Sequence, residues 1–181
     1  MKTTKILTEI KNENLFEIAG VEFIKFAEVD GVVYAVTKNS LFNSEFGSNN
    51  NYADIDNKIR KRLEIEFLPK IEEAIGAENV LEFETDLISL DGLTTYGKYK
   101  SKVGLPTFDF CRANVKTFDK YKLNKWWWLS TPDTTPEHRN NWWVVCVSPS
   151  GKFNDIDCNG GVSGVRPIWH FVSSISVSCE E

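Results

Sequence analysis

The chain has 181 residues, 41% of them hydrophobic and 26% charged, with 21 basic and 26 acidic side chains and a net charge of −5. That length and apolar fraction suit one domain with its own core and exclude a disordered chain, and no apolar run nears the ~20 residues a membrane span needs. A pI of about 5.2 excludes a binder that works by broad phosphate neutralisation, so no direct nucleic-acid partner is expected.

The start of the chain lacks a signal peptide's apolar region and cleavage site, so a cytoplasmic location is expected. The averages hide a split. Residues 1–100 carry 12 bases and 18 acids, residues 101–181 carry 9 and 8, and all six tryptophans fall between 126 and 169. One domain over 1–181 is expected, with an acidic hairpin-helix part (1–100) and a Trp-rich β part (101–181).

In chain order, Leu15 to Ile18 reads as a short strand. Asp30-Gly31, between Val21–Val29 and Val32–Thr37, reads as a two-residue hairpin turn, because an Asp-Gly pair accepts positive φ. Leu41 to Phe46 continues the sheet before a polar loop, Gly47 to Asn51. That Asn run supplies a helix cap, after which Tyr52, Ile55, Ile59, Leu63 and Phe67 recur every three or four residues on one helical face. Lys58, Arg60, Lys61 and Arg62 lie opposite. Pro69 opens a second short helix that Gly76 stops. Residues 80–88 read as a strand, and Thr107 to Phe118 as a helix started by Pro106. Thereafter Trp126–Ser130, Trp142–Ser148, Lys152–Asp157, Val165–Phe171 and Ser174–Ser178 are aromatic or β-branched runs separated by turn residues, the pattern of a compact antiparallel unit.

Catalytic and metal chemistry find little material. Cys111, Cys146, Cys158 and Cys179 form no Cys-x-x-Cys pair, and with only His138 and His170 available no zinc cluster, metal or cofactor is expected. Cys146, in a Val-Val-Cys-Val run, reads as a buried strand residue. His170, between Trp169 and Phe171, reads as packed. Asp155, Asp157, Asn159 and Gly160 match the first half of a calcium-loop pattern, but the twelfth position is Arg166 in place of a bidentate Glu, so an Asx-rich turn is the preferred reading. No phosphate loop, nucleophile elbow or metalloprotease motif is present, and the chain reads as non-catalytic.

Binding is better served. Trp126-Trp127-Trp128 must alternate faces if extended; most of the tryptophans are expected in the core, with Trp142 or Trp143 exposed. Residues 64–91 hold nine acids against one base, Lys70. Glu64, Glu66, Glu72, Glu73, Glu78, Glu82, Glu84 and Asp86 are therefore the candidate partner-binding residues, a negative field suited to a basic surface. An alternative loop site comprises Asp133, His138, Arg139, Asn154, Asp155, Asp157 and Asn159.

Three ordered motifs, Trp126-Trp-Trp-Leu-Ser-Thr-Pro132, Trp143-Val-Val-Cys-Val-Ser-Pro-Ser-Gly151 and Gly164-Val-Arg-Pro167, resemble an uncharacterised domain family of phages and prophages of Firmicutes. Upstream segments, among them Phe23-Ile-Lys-Phe26, Glu66-Phe-Leu-Pro69 and Phe83 to Leu87, are similar to its stand-alone members. The resemblance implies an α+β fold of the C-type-lectin-like and formylglycine-generating-enzyme-like kind. That fold would place an N-terminal β-hairpin and two to three helices on an antiparallel, Trp-rich C-terminal sheet. It also implies a structural Arg166 and an exposed segment between Lys152 and Gly164. With the acidic charge, it makes the expected partner a host protein, a basic nucleic-acid enzyme of the CRISPR-effector type inhibited by this chain. The alternative is a lectin-like display or receptor-binding module of a phage.

Overall fold

The computed structural model describes residues 2–180. Strands β1 (Lys2–Ile6), β2 (Leu15–Ile18), β3 (Val21–Val29) and β4 (Val32–Thr37) open the chain. Asp30 and Gly31 sit at φ 50° and 78°, the left-handed pair that turns β3 onto β4 with the right-handed twist of the strands. The next strand, β5 (Phe42–Ser44), departs from expectation by leaving this sheet to join another.

Helix formation begins later than the apolar spacing suggested. Asn57, whose Oδ1 accepts the Arg60 backbone N–H at 3.0 Å, is the cap in place of the Asn run. From there α1 (Lys58–Arg62), a π-helical turn (Leu63–Phe67) and α2 (Leu68–Ile75) run on without a break, and Gly76 ends them at φ 89°. Ile59, Leu63 and Ile71 point inward. Ile55, ahead of the helix, is 73% exposed, while Arg60, placed by periodicity on the solvent face, is buried with Nη1 donating to Tyr99 Oη at 2.6 Å.

Three short strands follow the helix, β6 (Val80–Leu81), β7 (Phe83–Asp86) and β8 (Lys98–Ser101), then β9 (Val103–Gly104). The helix expected over 107–118 is two pieces, α3 (Phe108–Ala113), capped by Thr107, and α4 (Val115–Lys120), interrupted at Asn114. The Trp-rich third supplies β10 (Trp127–Pro132), β11 (Trp143–Val147), β12 (Phe153–Asp157), β13 (Ser163–Val165), β14 (Ile168–Val172) and β15 (Ser176–Glu180).

The α+β, C-type-lectin-like arrangement is not what forms. The chain is mostly β, 38% strand against 20% helix, and its principal element is a curled antiparallel half-barrel sheet with one substantial helix. That eight-stranded sheet runs β1-β15-β2-β3-β4-β14-β6, with β9 also on β14. Both chain ends build it: β15 inserts between β1 and β2, and β14 between β4 and β6. The Trp-rich unit forms a smaller sheet, β12-β11-β10-β13-β5, and β7 and β8 form a separate ribbon. The compositional halves are thus interleaved, because strands from each complete the hydrogen bonding of the other.

Alternate residues of both large sheets feed two cores. Phe16, Phe23, Trp169 and Phe171 meet Trp128, Cys146 and Val165 on the side of the long helix. On the opposite side Ile24, Phe26 and Val36 meet Trp127, Leu129 and Val145 beneath α3 and α4. Trp127 and Trp128 point to opposite faces, yet both are buried because both faces are covered. Removing one indole from water is worth about 5 kcal/mol at ~25 cal/mol per Å². Trp126, ahead of β10, is 37% exposed. Arg166 lies wholly inside: Nε donates to Thr37 O at 2.7 Å, Nη2 donates to Tyr121 O at 3.1 Å, and the guanidinium sits over the Phe118 and Trp127 rings.

Candidate functional site

The acidic stretch is less negative in space than along the chain. Glu64 accepts from Tyr99 Oη at 2.6 Å and lies 3.9 Å from Arg60. Glu66 takes two bonds from Arg62 at 3.0 Å, Glu72 pairs with Lys102 at 2.7 Å, and Glu84 pairs with Lys98 at 2.8 Å. The hydrogen bonds from Arg62 and Lys98 hold the Glu66 and Glu84 carboxyls below their usual range. The β7–β8 register sets Glu84 opposite Lys100 and Asp86 opposite Lys98, so the ribbon's outer face alternates in sign. Among the described residues Glu73, Glu78, Glu82 and Asp86 are exposed and have no ion-pair partner. Lys98 and Lys102, which pair with Glu84 and Glu72, lie beyond the acidic window: Lys98 reaches it across the β7–β8 ribbon and Lys102 from between β8 and β9 to the long helix.

The last acid of the stretch belongs to a different group. Asp91 accepts from Ser89 Oγ at 2.5 Å and Thr134 Oγ1 at 2.6 Å, and it pairs with His138 Nδ1 at 2.7 Å. Burial alone pushes the Asp91 carboxyl up, but these three partners outweigh it and hold it well below the carboxylate range. An Asp that orients a His supplies two of the three members of a catalytic triad, yet here both hydroxyls donate to the Asp. Among the described residues no hydroxyl or thiol meets the other ring nitrogen of His138. The group clasps the 89–95 loop to the 133–139 loop. Asn50, fully buried, completes the clasp: its Nδ2 donates to Thr134 O and Trp143 O at 2.9 and 3.0 Å, and its Oδ1 accepts from Tyr96 Oη at 2.7 Å. Asn50 lies in the polar run 47–51, and no local feature of the sequence sets it apart from its neighbours there.

The alternative loop residues divide between two faces. Register pairs Trp143 with Asp157, Val145 with Asp155 and Cys146 with Asn154, so Asp155 and Asp157 share the face of Trp143 while Asn154 points the other way. Asp133, bonded through its N–H to Trp143 O at 3.0 Å, lies at the same end. Burial, then Asp155 and Asp91, push its carboxyl up, with Arg139 only partly offsetting them. Asp157 Oδ1 accepts the Asn159 N–H at 3.0 Å, the Asx turn expected there. As expected, Trp142 and Trp143 are exposed, at 56% and 39%.

The thiols are poorly placed for nucleophilic work. All four are free and buried. Burial pushes Cys111 and Cys158 up and raises Cys146 to about 12, which suppresses the thiolate. His170 sits between the Phe83 and Tyr34 rings, and burial lowers it to about 4. Among the described residues no three His, Cys, Asp or Glu side chains group as a metal site.

Comparisons with protein-family models, curated proteins and solved structures find no match to this chain.

Proposed function

We propose that this chain is a non-catalytic binding protein of phage type that inhibits a host defence nuclease, specifically a type II RNA-guided CRISPR nuclease. It would act by presenting carboxylates to the basic channel that holds nucleic acid. The observation that carries this reading is the set of carboxylates without an ion-pair partner among the described residues: exposed Glu73, Glu78, Glu82 and Asp86 near the long helix and the ribbon, and exposed Asp155 with half-buried Asp133 and Asp157 at the end of β11 and β12. Charge of one sign held on a rigid scaffold speeds encounter with a surface of the opposite sign and repels phosphate. Such effectors carry positively charged channels and read a short motif with arginines, which makes them suitable targets for a carboxylate surface. The raised thiol pKa values and the unaccompanied Asp91–His138 pair favour binding over catalysis.

The test is target-DNA binding and cleavage by purified, guide-loaded type II nuclease with this protein added at increasing ratios. Inhibition that saturates near stoichiometric addition and weakens with salt is expected. Unchanged cleavage at a hundredfold excess would exclude that target.

A further inference from the structure

We infer that the open end of the β11–β12 face, where Trp143 stands among Asp133, Asp155 and Asp157, is a docking surface for an arginine-bearing segment of a protein partner. This rests on the reading of the chain as a binding protein and selects which of its carboxylate surfaces makes contact.

The face is covered over only part of its length. Toward Phe153 and Val147 it is roofed by α3 and α4, with the Phe108 and Phe153 rings 4.8 Å apart. Toward Trp143 the roof stops. Trp142 and Trp143 stay exposed, and among the described residues neither indole has a ring partner or a cation above it. Large aromatic side chains left open at the end of a rigid sheet anchor interfaces, since they bring much area at little entropic cost.

Charge complementarity names the occupant. None of Asp133, Asp155 and Asp157 has an ion-pair partner among the described residues, whereas Glu64, Glu66, Glu72 and Glu84 already have theirs. Asp133 is half-buried and held between like charges with only Arg139 to relieve it, so an incoming cation meets a carboxylate short of compensation. A guanidinium fits better than an ammonium, because its plane stacks on an indole while its edge forks onto a carboxylate. The free acids around Glu73, Glu78 and Glu82 have no comparable exposed indole, so they offer attraction without an anchor.

The experiment titrates a hexa-arginine peptide into the ¹⁵N-labelled full chain, with hexa-lysine in parallel. Saturable shifts are expected at the Trp143 indole N–H and at the amides of residues 155–157, with hexa-lysine several-fold weaker. The isosteric Asp133→Asn/Asp155→Asn/Asp157→Asn variant should bind at least tenfold more weakly. Trp143→Ala, which keeps the charge, should lose a comparable factor, and unchanged circular dichroism verifies the fold of both. Shifts centred on Glu73, Glu78 and Glu82, unchanged affinity in both variants, or burial of Trp143 by concentration-dependent self-association would each overturn the inference. Nuclease inhibition that survives both variants would defeat this surface but leave the proposed function standing. Peptide binding here without inhibition of a nuclease would do the reverse.

Discussion

Acid should destabilise this protein through one side chain, His170. It lies on β14, between β4 and β6, with its ring 4.2 Å from that of Phe83 and 4.3 Å from that of Tyr34, and its side chain has no hydrogen-bond partner among the described residues. Burial lowers its pKa from 6.5 to about 4. The unfolded chain therefore binds this proton more tightly than the folded one, and the folded state is penalised as pH falls. Above pH 6.5 both states are neutral at this site and no penalty exists. Between pH 6.5 and about 4 the unfolded chain charges first, and stability falls by up to about 1.4 kcal/mol per pH unit, about 3 kcal/mol in all. Below pH 4 the loss is complete. Paired carboxylates such as Glu28, whose hydrogen bond from Lys25 lowers it, release their stability in a lower window, beneath their ordinary value of 4.5. His170→Phe keeps an aromatic ring in the slot and removes the proton. Urea unfolding of both proteins at half-unit steps from pH 7.5 to 4 should give curves that run parallel above 6.5 and diverge below it, with the wild type losing about 3 kcal/mol more by pH 4. Parallel curves over the whole range would refute the reasoning.

Arg166→Met should cost about 3 kcal/mol in urea unfolding, because Thr37 O and Tyr121 O lose their donor inside the core; Arg166→Lys should fall between, since one ammonium can serve one carbonyl. A neutral or stabilising Met variant would show that relief of the buried charge, whose pKa is lowered to about 10, outweighs those bonds. Iodoacetamide at pH 8 should modify the four thiols at less than a tenth of the rate seen in urea, followed by mass spectrometry; one thiol reacting quickly in the native protein would contradict their burial.

The parts of this fold that depend on nearest neighbours were legible in the residues. Asp30-Gly31 specified a left-handed turn, Gly76 a helix stop, and the alternating Val-rich runs the strands of the last third, because backbone φ and a two-residue pleat are local properties. The chain's acidity and the exposure expected of Trp142 or Trp143 were likewise readable. Overestimating the helical part came from periodicity alone: Ile55 matches the apolar spacing but precedes the cap at Asn57, and Asn114 divides α3 from α4.

What only the tertiary structure decided is pairing between distant segments. Nothing near Lys2–Ile6 indicates that it will pair with Ser176–Glu180, and nothing near Glu84 or Glu72 reveals that Lys98 and Lys102 will neutralise them. The same holds for Asn50, which anchors β11 across more than ninety residues, and for His138, which answers to Asp91. Hydrogen bonds and ion pairs act through space within a few ångströms, whereas sequence separation says little about which segments the hydrophobic cores bring together. The acidic charge was therefore a property of the residues, but which carboxylates remain free to meet a partner was settled by the fold.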